Sequence, residues 1–267
     1  MLEMTHEEAE GYFSASRINT YLICPNKYLF NYIEKHKRET VSAPLMFGIA
    51  THSVIEKVYD RIRAGEPAMS REEVADEAAS SWVRTIEKSF EDAERGVSYG
   101  EKESEGQLKD RLVALLRLFV DQFEMPSQVH ALEQKFRCWV YDPKTNERRE
   151  TQFVGVVDAI VTRDGAQIIE EHKTSGRRWS KHDYQHNIQG SLYLAAHQMD
   201  RLNFNVLTQR KNPCIETFNI TSNDWQKTDA INVLCRVMDA VEQQHFFPKR
   251  GWQCDRCSFR RRCFTGR

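Results

Sequence analysis

The 267-residue chain contains no run of about 18 apolar residues, so its sequence offers no transmembrane helix. Its first residues, MLEMTHEEAEGYF, are acidic and lack the short apolar stretch of a secretory signal. Both absences predict an intracellular, cytoplasmic protein with no membrane partner. The net charge is −1, so no global excess of positive charge draws the chain toward nucleic acid. An internal repeat, a low-complexity linker and a separate base-reading module are missing too. An odd cysteine count, seven, without a signal peptide argues against a disulfide framework. With 40% hydrophobic and 29% charged residues, the composition is that of an ordinary soluble globular protein. The order of patterns predicts one α/β domain over 1–267. A mainly helical part, 1–128, precedes a sheet core, 129–221, and a closing helix with a cysteine cluster, 222–267.

The stretch that organises the chain is VGVVDAIVTRDGAQIIEEHKTS, Val154 to Ser175. It reads as two apolar strands joined at an Asp164-Gly165 turn. Side chains alternate along a strand, so Glu171 and Lys173 share one face, while Glu170 and His172 share the other. In a hairpin, Asp158 can lie across from Glu171. Two carboxylates and an ammonium then converge on one spot, a natural seat for a hard divalent cation. Against this stands a strand end whose charges merely emerge into solvent. An acid inside an apolar strand, followed by Glu-x-Lys on one face, tips the balance, because such charges are costly to bury without a partner.

Helices carry the remaining candidates. Phe13 to Ile33 reads as two helices meeting at Cys24-Pro25, with Ser14 or Ser16 as cap and Pro25 opening the second. Leu45 to Ile62 is helical, with His52 and Glu56 on one face; by residue pattern alone His52 is a hydrogen-bonded structural histidine. Ser70-x-x-Glu73 is a capping box. Residues 91–107 read as a loop or frayed helix, and a helix follows from about Gln107 to Phe123. Three successive antiparallel strands cover 129–175. A helix from Asp183 to Met199 places Gln189 and Tyr193 side by side, as a groove wall or as an edge packed on the sheet. Strands at 202–209 and 215–220 and a helix from Ser222 to about His245 complete the chain. The tail from Lys249 holds seven Lys/Arg against Asp255 alone, either a solubilising run or a footprint for a phosphate backbone. Cys138, Cys214 and Cys235 read as buried thiols. Cys254, Cys257 and Cys263, spaced C-x2-C-x5-C, lack a fourth ligand that Cys24 can supply. Spacing alone leaves zinc and an iron–sulfur cluster open.

In this order the motifs resemble the PD-(D/E)XK nuclease superfamily, and within it the RecB-type nucleases with an iron–sulfur clasp. Those include the AddB nuclease domain and the CRISPR-associated protein 4 exonucleases, many of them phage-encoded. SASRINTYLICPNKY resembles the first-cysteine helix and GIATHSVIE the histidine motif. VGVVDAIV and IIEEHK resemble the acid and (D/E)-x-K motifs, QGSLY the Q-x3-Y motif, and CDRCSFRRRC the terminal cysteines. Val157 stands where the superfamily's name has proline. The resemblance implies a restriction-endonuclease-like core: a mixed central sheet flanked by helices, with an added helical segment and a cysteine clasp. It implies Asp158, Glu171 and Lys173 as catalytic residues. His52, Asp158, Glu171 and the His172 backbone carbonyl would be ligands of Mg²⁺ or Mn²⁺. A 4Fe-4S cluster would sit on Cys24, Cys254, Cys257 and Cys263, with zinc the lesser occupant, and Gln189 and Tyr193 would lie at DNA. The activity implied is exonucleolytic, on single-stranded DNA or DNA ends, beside recombination, repair or CRISPR-adaptation partners. The rival from another class is a non-catalytic DNA-end-binding or assembly module on the same fold.

Overall fold

The computed structural model describes residues 1–101 and 103–266. Two short strands, β1 (Leu2–Met4) and β2 (Tyr12–Phe13), precede helix α1 (Ala15–Ile23). Ser14 caps α1 by accepting from the Arg17 N–H. Cys24 turns extended and ends it, and Pro25 opens α2 (Pro25–Tyr28), which runs on into a π-helical turn over Leu29–Ile33. Helix α3 (Ala43–Ala64) follows the two-residue strand β3 (Val41–Ser42) and stops at Gly65, whose φ of 69° is the left-handed C-cap glycine favours. Capping boxes start α4 (Arg71–Asp92) at Ser70 and α5 (Glu105–Gln122) at Ser104. Between these helices β4 (Val97–Ser98), inside a segment expected to be loop or frayed helix, pairs with β3.

The sheet then forms from β5 (Gln128–Tyr141), β6 (Arg148–Arg163), β7 (Ala166–Ser175), β8 (Arg201–Thr208) and β9 (Ile215–Thr221). Its order is β1-β5-β6-β7-β8-β9. The three antiparallel strands expected over 129–175 are present, and β8 lies parallel to β7, which makes the sheet mixed. A parallel neighbour needs a crossover, here α6 (Lys181–Gln185) and α7 (Ile188–His197). One helix was expected there. Two form because Asn187 leaves helical geometry and caps α7 by accepting from the Gly190 N–H. Helix α8 (Asp224–Glu242), a 3-10 turn at Trp252–Cys254 and α9 (Arg260–Thr265) close the chain.

Two apolar cores sandwich the sheet. Phe136, Phe153, Val157, Ile169, Leu192 and Phe204 fill the core on the side of α1, α7 and α8. Phe47, Val54, Trp82, Leu112, Ala159 and Ile168 fill the one under α3, α4 and α5. The fold is therefore a mixed sheet flanked by helices on both faces. One irregularity positions everything that follows: β7 pairs with β6 only from Ala159 to Arg163, and β2 takes the vacated edge of β6 at Gln152 and Phe153. The two central strands fork at Asp158.

Candidate functional site

The hairpin behind the fork is set by its turn. Asp164 and Gly165 both have positive φ, 49° and 73°, as a two-residue type I′ turn requires. From that register Ala159 faces Glu170, and the next residues splay into the fork. There the Asp158 N–H donates to Glu171 Oε1 at 3.3 Å, and the His172 N–H donates to Asp158 Oδ2 at 2.7 Å. Lys173 Nζ donates to Glu171 Oε2 at 2.9 Å. The alternation read from the sequence holds: Glu171 and Lys173 meet, while Glu170 points into the opposite layer. His52, from α3, brings Nδ1 to 3.6 Å from Asp158 Oδ1.

Burial governs the electrostatics. It pushes the Asp158 carboxyl up to about 6, against the pull of Lys173 and the His172 N–H. Burial, then the Asp158 charge, raises Glu171 to about 7. Lys173 is enclosed too, but Glu171 and Asp158 outweigh that desolvation and raise its pKa, so it is an ammonium. Burial and then Lys173 lower His52, which leaves a neutral imidazole, the form that can ligate a metal.

The site also holds a residue that the sequence pattern does not single out. Glu133 on β5 stands with His52 and Asp158, each offering a ligand atom within 4.8 Å of the others. Its φ of 45° is unusual for a glutamate in a strand. Counting from Tyr141, which pairs with Arg148, places Ala131 opposite Asp158. Register shifts near Trp139/Tyr141 move the true pairing by two, to Leu132 with Ala159 and Gln134 with Val157, and so bring Glu133 to Asp158. Bulges of this kind leave no clear trace in residue pattern.

Gln189 and Tyr193 occupy different environments. Gln189 Nε2 donates to Glu171 Oε2 at 2.7 Å and so fixes the carboxylate itself. Tyr193 is 5% exposed. Its ring meets Phe136 edge-on at 5.2 Å, and its hydroxyl accepts from the Val156 N–H at 3.4 Å. It contributes to the wall of a groove of about 400 Å³ with Tyr12, Ser14, Ser16, Lys135 and Gly155.

At the other end of the sheet's helical cover, Cys24, Cys254, Cys257 and Cys263 line one pocket with Asn26 and Phe259. All four are free thiols. Asn26 Nδ2 donates to Cys263 Sγ at 3.6 Å. Burial raises the Cys257 thiol, and nearby Cys24 and Cys263 add to the shift. Backbone bonds dock the tail on the first helices: Asn26 N–H to Phe247 O at 3.1 Å, and Glu39 N–H to Ser258 O at 3.0 Å. Cys138 and Cys235 lie in the core, and Cys214 is half-buried against Thr208.

The sequence profile of the PD-(D/E)XK nuclease superfamily matches residues 12–264. No curated protein matches the chain at a significant level. Among solved structures, the crystal structure of SSO0001 is 14% identical with a TM-score of 0.37, over 91% of this chain and 90% of that one. A candidate exonuclease from Eubacterium rectale is 12% identical with a TM-score of 0.47, over 92% of this chain and 86% of that one.

Proposed function

Since the chain belongs to the PD-(D/E)XK nuclease superfamily, and is by that membership a metal-dependent nuclease, we propose that it is a deoxyribonuclease. In this reading it is an exonuclease acting on single-stranded DNA or DNA ends, with Asp158, Glu171 and Lys173 as catalytic residues. The observation that carries the reading is the convergence of two enclosed carboxylates and one ammonium at the strand fork. The donor set suits a divalent cation. Asp158 and Glu171 together outnumber the Lys173 charge, and burial makes such an excess costly, while exposed Glu133 adds a third carboxylate at the rim. His52, Asp158, Glu171 and the His172 carbonyl would hold Mg²⁺ or Mn²⁺, with Glu133 beside them, and the imidazole favours Mn²⁺. Such a cation supplies neutralisation of a scissile phosphate and lowers the pKa of water.

The chain's own groups divide the rest of the work. Lys173, held as an ammonium at 2.9 Å from Glu171, orients the attacking water and offsets charge growing on phosphorus. Gln189 stops the Glu171 carboxylate from rotating. The groove beside Tyr193, with Lys135 and the Ser14 and Ser16 hydroxyls, offers phosphate contacts. The four cysteines would hold a 4Fe-4S cluster that clasps the two chain ends; their shared pocket supports this, and four thiolates also suit zinc.

The test uses purified protein with Mg²⁺ or Mn²⁺ on 5′- and 3′-labelled DNA, single- and double-stranded, linear and circular. Release of short labelled products from linear DNA, with circles spared, is expected. Binding to ends with no metal-dependent loss of label overturns the reading in favour of an end-binding module.

A further inference from the structure

The hydrolytic site makes no use of Glu170, yet this carboxylate is fully buried. It projects from β7 on the face opposite Glu171. The Tyr59 hydroxyl donates to Glu170 Oε2 at 2.6 Å, and Arg163 Nε donates to Oε1. The Arg163 guanidinium lies over the Phe123 ring, 5.2 Å from its centroid. Tyr59 also packs edge-on against the His172 ring at 5.2 Å. An apolar side chain at 170 would fill this layer without desolvating a charge. A charged one adds direction: a hydrogen bond fixes its donor in distance and angle, where an apolar contact lets a helix slide.

The direction matters because Tyr59 follows His52 by seven residues, two turns of α3, and so stands on the same face. Helix α3 meets β7 at three successive points. A Cβ on Gly48 would lie 3.2 Å from Thr174 Oγ1, His52 and His172 line one small cavity, and Tyr59 grips Glu170. Between the outer contacts the helix advances roughly 16 Å and the strand roughly 13 Å, so the contacts keep step along both.

We propose that Glu170, Tyr59 and Arg163 form a positioning triad that sets the height of His52 against Asp158 and the Glu171 strand. Residues 170–173 then divide their labour by alternation. Glu171 and Lys173 serve the fork; Glu170 and His172 anchor the helix that delivers the imidazole. The inference rests on reading the fork as a cation site.

Calorimetric titration of the full-length chain with Mn²⁺ tests it. Tyr59→Phe and Glu170→Gln are compared with wild type and with Val58→Ala, a buried position on the same helix outside the triad. Both triad variants are expected to bind Mn²⁺ roughly tenfold more weakly. Val58→Ala, whatever it loses in thermal midpoint, is expected to bind as wild type. Wild-type affinity in a folded triad variant overturns the positioning role, and so does an equal loss in Val58→Ala. If Tyr59→Phe fails to fold, Glu170→Gln carries the comparison. A wild-type protein that binds no Mn²⁺ overturns the cation site itself, and the triad's role with it.

Discussion

At the fork, two enclosed carboxylates share one ammonium, and in the proposed site their proton affinity would govern when a cation enters. Asp158 is raised to about 6 and Glu171 to about 7, in both cases chiefly by burial. A ligating carboxylate must be ionised, so protons compete with metal. As pH rises through the interval from about 6 to about 7, both groups lose their protons and apparent Mn²⁺ affinity climbs, roughly tenfold per pH unit for each proton displaced. Calorimetry in buffers of different ionisation heat should show proton release on binding below pH 7; affinity independent of pH would contradict the assignment. Lys173→Ala removes the ammonium but no ligand. It should cut hydrolysis at least about a hundredfold while Mn²⁺ binding persists in the same calorimeter. At this scale the sequence was informative where local periodicity acts. Alternation on one strand separates Glu171 from Glu170. Nothing local announces Glu133 or the Tyr59–Glu170 bond, because both depend on register shifts or on a contact across 111 residues.

Element by element, the hairpin was the most legible part, since Asp164-Gly165 dictates a two-residue turn and the turn dictates register. The break between α6 and α7 was not, because an asparagine serves a helix interior poorly and a cap well, and only its partner, the Gly190 N–H, decides which. Close packing makes its own prediction at this scale. A Cβ on Gly155 would lie 2.4 Å from Phe136 Cζ and 2.9 Å from Tyr193 Cε1. Both rings are buried, so neither can yield freely. Gly155→Ala should therefore destabilise the protein by about 1–3 kcal/mol through overpacking, read as a lower urea midpoint with an unchanged slope. A wild-type midpoint would show that β6 and α7 are packed more loosely than these distances imply.

For the molecule as a whole, the strand fork and the cysteine pocket proposed as metal centres are spatially and chemically distinct. The fork lies on the sheet between α3 and α7, and the cysteine pocket joins the first two helices to the tail. The cysteine spacing points to thiols that line one pocket, because C-x2-C-x5-C is local and Cys24 stands at a helix junction. It could not foretell the occupant, since zinc and iron both accept four thiolates. Protein purified without oxygen should be brown and hold iron and sulfide, and Cys24→Ser should lower its thermal midpoint by untying the chain ends. A colourless protein with stoichiometric zinc contradicts the cluster. Among the described residues no helix is long and apolar enough to cross a membrane. The central claim is that Glu171 belongs to the hydrolytic site, and one comparison tests it most directly: wild type and Glu171→Ala, each shown folded by circular dichroism, incubated with end-labelled linear DNA and Mn²⁺. Loss of label is expected with wild type and none above background with Glu171→Ala; undiminished cleavage by the variant would contradict a hydrolytic role for Glu171.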